Sequence, residues 1–397
     1  MLTLVLAMAI PAGTASTTHA AAPGFEAALR SALTAPGIGP RSTAALAVDV
    51  ESGDVVFRMN AGRSLLPASA EKLAVSFAAL RVLGPDFRFH TELVGTGTRV
   101  GRTWRGNLVL VGHGDPTLAV ADLDRLARQL RRMGIRHVEG RVLGDESHFD
   151  TRRDAPGWKT SYLGIESRPL SALTIVDLPV RTANGSAAIA AHAFTAALAR
   201  HDVTVTGPPG SGRAARDARA LARDSSEPLR IVVRQLNRDS DNFVAEIVLK
   251  ELGTTIAPRG STAAGALVVR EELAAAAIPL EGVRIADGSG LSMLDRLTVQ
   301  ALVAILRSGA SDPAMRDAFV TSLAVAGISG TMKRRLAERP TRSRVIAKTG
   351  TTNSASALAG FVRRRYVFAI LQNGGPVPYW TARLAQDRFV TLLARRQ

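Results

Sequence analysis

Three short stretches of the sequence carry hydroxyl groups, amines and an amide at spacings that suit acyl transfer. They are Ser69-Ala-Glu-Lys72, Ser240-Asp-Asn242 and Lys348-Thr-Gly-Thr351. Positions i and i+3 of a helix share one face, so the amine of Lys72 can reach the hydroxyl of Ser69. A serine hydroxyl beside a base is a common nucleophile for attack on a carbonyl carbon. The first motif therefore indicates serine acyl transfer, although the same spacing also fits a solvent-facing pair.

Ser69 lies where a helix is expected to begin. Pro67 precedes it, a helical pattern covers residues 70–83, and Gly84-Pro85 is a stop signal. The free backbone N–H groups and the positive dipole end at a helix start suit a developing oxyanion. The predicted element therefore places Ser69 where a nucleophile would be useful.

The second motif stands at the start of another predicted helix, residues 242–252. Ser240 can relay a proton, and Asn242 can hold an amide of a substrate. Serine, aspartate and asparagine are also the preferred N-cap residues of helices, so the motif by itself has an ordinary structural explanation.

The third motif ends a predicted strand, residues 343–348. The amine of Lys348 and the hydroxyls of Thr349 and Thr351 can hold a carboxylate, and Gly350 lets a substrate backbone approach closely. A turn with one charged residue is the alternative. Only five of the 50 basic residues are lysine, and lysine, unlike arginine, can lose its proton when it is buried. A proton-transfer role is therefore favoured for the lysines of the first and third motifs.

The order S-x-x-K, S-D-N, K-T-G is the signature of penicillin-binding proteins and related β-lactamases. The sequence resembles the class C, low-molecular-mass penicillin-binding proteins, the D-alanyl-D-alanine carboxypeptidase/endopeptidase group. The resemblance runs from about residue 40 to the end, through the segments 67–73, 114–118, 144–150, 171–174, 287–292 and 330–334.

The resemblance implies an α+β fold, with an antiparallel sheet flanked by helices and split by a large inserted domain. We predict a signal peptide at 1–22, a catalytic domain formed by 23–90 and 225–397, and the insert at 91–224. Residues 2–10 are apolar apart from Thr3, which is typical of an export signal and too short to span a bilayer. No Lys or Arg precedes Arg30, so an ordinary apolar start is the alternative. We expect export to the periplasm or extracellular envelope, and no transmembrane span.

The resemblance also implies that the protein hydrolyses peptidoglycan stem peptides through an acyl-enzyme, and that β-lactam antibiotics inhibit it by forming a covalent adduct. Ser69 would be the nucleophile and Lys72 the base, with the backbone N–H groups of Ser69 and Thr351 as the oxyanion hole. Relatives link an acidic position resembling Asp154 to recognition of the stem-peptide side chain. They also often have arginine where this chain has Met293, which puts that recognition in doubt. The balance of carboxypeptidase and endopeptidase activity and the oligomeric state stay open.

Composition restricts the alternatives. The net charge of +16 is spread along the chain with 5% aromatic residues and no nucleic-acid-binding motif, so we expect no nucleic-acid partner. There is no cysteine for a thiol nucleophile or cysteine zinc site. The seven histidines are scattered up to His201 without H-E-x-x-H, so no metal or other cofactor is expected, and a Ser-His-Asp hydrolase is disfavoured. A β-lactamase or esterase on the same fold, or a non-catalytic wall-binding protein, stays as the alternative.

Overall fold

The structure of the protein is a computed structural model that describes residues 23–179 and 185–396. The predicted signal peptide, residues 1–22, lies outside the described residues. Within the two described ranges, no helix is both long enough and apolar enough to cross a membrane.

The described chain contains strands and helices in both ranges. The strands are β1 (Thr43–Asp49), β2 (Val55–Met59), β3 (His90–Val100), β4 (Thr103–Gly112), β5 (His137–Glu139), β6 (Val142–Asp145), β7 (Thr204–Val205), β8 (Gly210–Ser211), β9 (Arg219–Ser225), β10 (Ala324–Val325), β11 (Val345–Thr351), β12 (Ala355–Val362) and β13 (Tyr366–Asn373). The helices are α1 (Pro23–Ala32), α2 (Lys72–Val82), α3 (Val120–Arg132), α4 (Ser186–Arg200), α5 (Leu229–Arg234), α6 (Asn242–Gly253), α7 (Thr262–Ala275), α8 (Val299–Ser311), α9 (Arg316–Thr321) and α10 (Tyr379–Arg395).

The first sheet is antiparallel throughout, in the order β10-β11-β12-β13-β1-β2. Its central strands β12 and β13 are buried over nearly their whole length, because helices cover both faces. On one face Leu302 of α8 is buried in a core shared with Val367 of β13. On the other face Phe389 of α10 is buried in a core shared with Phe368. The predicted fold class, an antiparallel sheet flanked by helices, is confirmed.

The second sheet is mixed. Strands β7-β5-β4-β3-β9 follow one another, and β6 pairs with β4 and β8. All its strands lie between His90 and Ser225, and its core includes Leu126 of α3 and Phe194 of α4. The exact domain limits stay a prediction.

The helix predicted from residue 70 begins at Lys72 and is preceded by a 3₁₀ turn, Ala68–Glu71. Helix α9 is short, Arg316–Thr321, and begins only after residue 312. The carboxylate of Asp312 accepts a hydrogen bond from the backbone N–H of Ala314 at 2.9 Å, so this segment forms a local turn instead of a first helical turn.

Candidate active site

Ser69 occupies the 3₁₀ turn that leads into α2, and the turn is held by close backbone contacts. The preceding residue, Ala68, has a φ of 46°, which is unusual for a residue with a Cβ. A Cβ on Gly290 would lie 1.9 Å from the carbonyl oxygen of Ala68, and a Cβ on Gly350 would lie 3.0 Å from Ser69 N. Two glycines therefore let a loop and strand β11 approach the backbone of Ser69.

Lys72 is the first residue of α2, and its amine contacts three oxygen atoms. Its Nζ lies 3.0 Å from Ser69 Oγ, 2.7 Å from Asn242 Oδ1 and 2.6 Å from the carbonyl oxygen of Ser289. The last two atoms can only accept hydrogen bonds. A neutral amine has two N–H donors and one lone pair, so these acceptors bind both donors and leave the lone pair for the hydroxyl of Ser69. The predicted reach from Lys72 to Ser69 is present.

The surroundings of Lys72 make the neutral amine accessible. The side chain is completely buried, and this burial lowers the pKa of the amine from 10.5 to about 8. The negative charges of Asp287 and Glu246 oppose the shift. A fraction of the amine is therefore neutral near pH 7.

A short π-helical turn, Gln235–Asp239, connects α5 to α6 and presents the second motif. Ser240 follows it with a φ of 63°, a left-handed conformation that is strained for a residue with a Cβ. Asp241 caps α6 by accepting a hydrogen bond from Val244 N at 3.0 Å, as the N-cap explanation requires. The motif therefore combines a helix cap with two side chains that point away from the helix toward the other motifs.

The amide of Asn242 is fixed on both sides. Its Oδ1 accepts from Lys72, and its Nδ2 donates to the carbonyl oxygen of Glu166 at 2.9 Å. The carbonyl oxygen of Glu166 cannot donate a hydrogen bond, so it must face Nδ2, and this leaves Oδ1 facing Lys72. Glu166 belongs to the loop that follows the second sheet's strand β6, so this sheet's connecting segments reach the site.

Lys348 lies on β11 and joins the third motif to the second. Its Nζ donates to Ser240 Oγ at 2.8 Å and to the carbonyl oxygen of Thr349 at 2.7 Å. Complete burial, and next the charge of Lys72, lower its pKa well below the ordinary value. The three distant motifs therefore meet in one place, as their order predicts.

These motifs line a cavity of about 310 Å³. The residues predicted from the motifs that line it are Ser69, Ser240, Asn242, Thr349 and Thr351. Lys72 and Lys348 lie behind them, fully buried. A second cavity of about 570 Å³ shares Glu166 with it.

Asp154 is the predicted site residue that the structure places apart. It lies in a loop, its carboxylate is 3.6 Å from the guanidinium of Arg152, and it is not among the described residues that line either cavity. Its role in substrate recognition stays a prediction.

Other residues of the site were not predicted. Arg335 and Arg383 line the cavity; Arg335 is paired with Asp387 at 2.7 Å, and Arg383 brings positive charge. The hydroxyl of Thr349 donates a hydrogen bond to that of Thr331 at 2.8 Å. The segments 287–292 and 330–334 were noted in the sequence, and they supply the Ser289 carbonyl and Thr331. Nothing in the sequence signalled the carbonyl oxygen of Glu166.

Carboxyl groups are buried behind Lys72. Neither oxygen of the Glu71 side chain has a hydrogen-bond partner among the described residues. Burial, and next the charges of Asp287 and Glu246, raise the pKa of Glu71 well above its usual range. Burial likewise raises the pKa of Glu246 to about 8, and that of Asp295 well above its usual range. Burial therefore favours the protonated form of all three groups, and Glu246 is mostly protonated at neutral pH.

Comparisons with known proteins agree with this geometry. The carboxypeptidase DacB of Mycolicibacterium smegmatis is 30% identical over 93% of this chain and 84% of its own length. The D-alanyl-D-alanine carboxypeptidase of Actinomadura sp. (strain R39) is 28% identical over 86% of this chain and 80% of its own length. The crystal structure of penicillin binding protein 4 (dacB) from Haemophilus influenzae superposes with a TM-score of 0.81, at 23% identity, over 92% of this chain and 98% of that one. A second structure of that protein, complexed with a β-lactam, gives a TM-score of 0.75 at 22% identity over 93% and 98% of the two chains.

The D-Ala-D-Ala carboxypeptidase 3 (S13) family matches residues 25–178 and 171–396. These two matches together cover nearly all the described chain, including the three motifs. The predicted resemblance is thereby confirmed, and the chain belongs to the D-Ala-D-Ala carboxypeptidase 3 (S13) family.

Proposed function

We propose that this protein is a serine D-alanyl-D-alanine carboxypeptidase and endopeptidase that hydrolyses peptidoglycan stem peptides through an acyl-enzyme and is inhibited by covalent reaction with penicillin. The observation that carries the proposal is the position of the Lys72 amine. It lies 3.0 Å from Ser69 Oγ, with two further contacts that can only accept hydrogen bonds. The family membership supports the same reaction.

In the first step Ser69 Oγ attacks the carbonyl carbon between two terminal D-alanines. The hydroxyl proton passes to the neutral amine of Lys72 as the Oγ–C bond forms. The oxyanion binds the backbone N–H groups of Ser69 and Thr351, which are worth ~3 kcal/mol per donor in such sites. The close approach of Gly350 to Ser69 N supports this pairing of amides.

In the second step the C–N bond breaks and the departing amine takes a proton from Ser240 Oγ, which Lys348 contacts at 2.8 Å. Ser240 regains a proton from the Lys72 ammonium, so the proton lost by Ser69 ends on the departing amine and Lys72 is neutral again. The hydroxyls of Thr349 and Thr351, which line the cavity, hold the terminal carboxylate, with the amine of Lys348 behind them. Asn242 orients the amide of the acyl group. Water then attacks the ester, releases the shortened peptide and returns the proton to Ser69.

The second cavity supports action on more than a terminal dipeptide. It is larger than the Ser69 cavity and shares Glu166 with it, so an extended stem peptide or cross-link can occupy both. The positive charge of Arg383, which lines the Ser69 cavity, suits the carboxylates of such peptides. Because peptidoglycan lies outside the cytoplasmic membrane, we place the protein in the periplasmic or extracellular envelope, which cell fractionation would test.

The experiment is labelling with fluorescent penicillin, followed by mapping of the modified peptide and measurement of D-alanine released from a D-Ala-D-Ala peptide. We expect a long-lived adduct on Ser69 and release of D-alanine, both lost in Ser69→Ala. Rapid turnover of penicillin without an adduct would favour a β-lactamase. Absence of both adduct and release in folded protein would favour a non-catalytic wall-binding protein.

A further inference from the structure

Histidines that are scattered in the sequence meet on one face of the second sheet. His90 and Glu92 stand two positions apart on β3, so their side chains point to the same face. His113 directly follows β4, and its backbone N–H donates to the carbonyl oxygen of His90 at 3.2 Å. The register of the two strands therefore places two imidazoles and one carboxylate together, and none of these residues lines the Ser69 cavity.

The rings of His90 and His113 stack with centroids 4.1 Å apart, so one ring must turn for both to face a shared ion. The ligand atoms are close enough for this. His90 Nε2 lies 3.8 Å from Glu92 Oε1, and His113 Nε2 lies 3.6 Å from Glu92 Oε2. One ligand atom of each residue lies within 4.8 Å of the others. These distances are too long for direct hydrogen bonds. They are close to the separation of about 3.4 Å between two ligands of a tetrahedral zinc ion with bonds of about 2.1 Å.

His113 has an unused nitrogen at this point. Its Nε2 is buried and has no hydrogen-bond partner among the described residues. A buried polar atom without a partner destabilises the fold, and a metal ion bound at Nε2 would satisfy it.

Other polar side chains surround His90, Glu92 and His113. The ring of His148 packs edge-on against that of His113 with centroids 5.1 Å apart, and its Nε2 is 2.9 Å from a carboxylate oxygen of Glu251 on α6. From the other side Arg223 of β9 approaches Glu92, with 3.8 Å between Nη1 and Oε1. His90, Glu92 and His113 are each about a quarter exposed, so an ion can enter from solvent.

We propose that His90, Glu92 and His113 bind one zinc ion, with solvent in the remaining coordination position. Two imidazoles and a carboxylate form a donor set that zinc accepts readily, whereas calcium and magnesium prefer oxygen donors alone. The histidines are far apart along the chain, so no metal was expected from their spacing, and the pairing of β3 with β4 removes that objection. The ion stabilises the end of this sheet beside α6 and takes no part in acylation of Ser69.

The test uses the full chain without a histidine tag, freed of metal by chelation and desalting. Zinc titration by calorimetry should give one ion per chain, and zinc should raise the melting temperature by mass action. Cobalt in place of zinc should give the visible absorption bands of a tetrahedral site. His113→Ala and Glu92→Gln should each weaken binding by about 100-fold or more and abolish both effects.

His192→Ala, a histidine of α4 outside the cluster, is the matched control and should bind zinc like the parent chain. Labelling by penicillin should persist in all these variants, so failure of the metal site and failure of the proposed function are distinguishable. Zinc binding of equal strength in the parent chain, His113→Ala and Glu92→Gln would overturn the proposal, as would the absence of binding by the parent chain. Glu92→Gln removes no ring, so it also guards against a folding defect in His113→Ala.

Discussion

The pH dependence of acylation gives the most direct test of Lys72 as the base. Burial lowers the pKa of this amine to about 8. Roughly one amine in ten is then neutral at pH 7, and about half at pH 8. If the neutral amine takes the proton of Ser69, the second-order acylation constant should rise about tenfold from pH 6 to pH 7, about fivefold from pH 7 to pH 8, and less than twofold from pH 8 to pH 9.

The assay is stopped-flow or gel-based labelling with fluorescent penicillin across this pH range, with circular dichroism to show that the fold persists. Lys72→Arg supplies a permanent positive charge in place of the titrating amine. We expect the acylation constant of this variant to be lower by about 100-fold or more, and not to rise with pH. Lys159→Arg, the same change at an exposed lysine, should behave like the parent chain.

Two results would refute the reasoning. One is an acylation constant that stays flat between pH 6 and pH 8 in the parent chain. The other is a rising limb that survives in Lys72→Arg. A falling limb at higher pH would not count against it, because the pKa of Lys348 is also lowered and the two amines titrate as an interacting pair.

Three further changes test the structure around the nucleophile. Gly350→Ala places a Cβ 3.0 Å from Ser69 N and should slow acylation by penicillin about tenfold or more. The control is Gly62→Ala, whose new Cβ has no atom within 4 Å and should leave the labelling rate unchanged. Asn242→Asp places a carboxylate 2.7 Å from the amine of Lys72, which should raise the pKa of that amine. The rise of the acylation constant with pH should then shift to higher pH by about one unit or more. An unshifted profile would contradict the assignment of Lys72 as the base. The side chain in Glu246→Gln cannot ionise. Its free energy of unfolding, measured by denaturant titration, should therefore fall less between about pH 4.5 and pH 8 than that of the parent chain. An identical fall with pH in both chains would show that this carboxyl is not protonated in the fold.

The order of the motifs could predict that the three motifs meet, because each motif carries its signal in side chains. Ser69 and Lys72 are brought together by three positions of local helical geometry, and this contact needs no tertiary information. The meeting of Ser240 with Lys348 does need it, and there the prediction depended on the resemblance to a known family.

The groups that complete the site could not be predicted because they act through backbone or through contacts across the fold. The carbonyl oxygens of Ser289 and Glu166 are common to every residue type, so no residue choice reveals them. The gathering of His90 and His113 depends on the pairing of β3 with β4, and sequence spacing suggested the opposite.

The buried carboxyl groups explain how Lys72 can be surrounded by acids and still lose its proton. An ionised Glu71 or Glu246 raises the pKa of the amine, and burial alone lowers it. The same burial raises the pKa of Glu71 well above its usual range and that of Glu246 to about 8, which favours the protonated acids and weakens their effect on the amine.

This arrangement has a cost in stability with a definite sign. Between about pH 4.5 and pH 8 the folded chain keeps a proton on Glu246 that the unfolded chain releases, so the stability from this group is lost as the pH rises. Lys72 acts in the opposite sense only above about pH 8, where the folded state has lost a proton that the unfolded state keeps up to about pH 10.5. The amine therefore becomes reactive over the same pH range in which its acidic surroundings stop stabilising the fold. Reactivity and stability at this site oppose each other because both follow from burying the same group of charges.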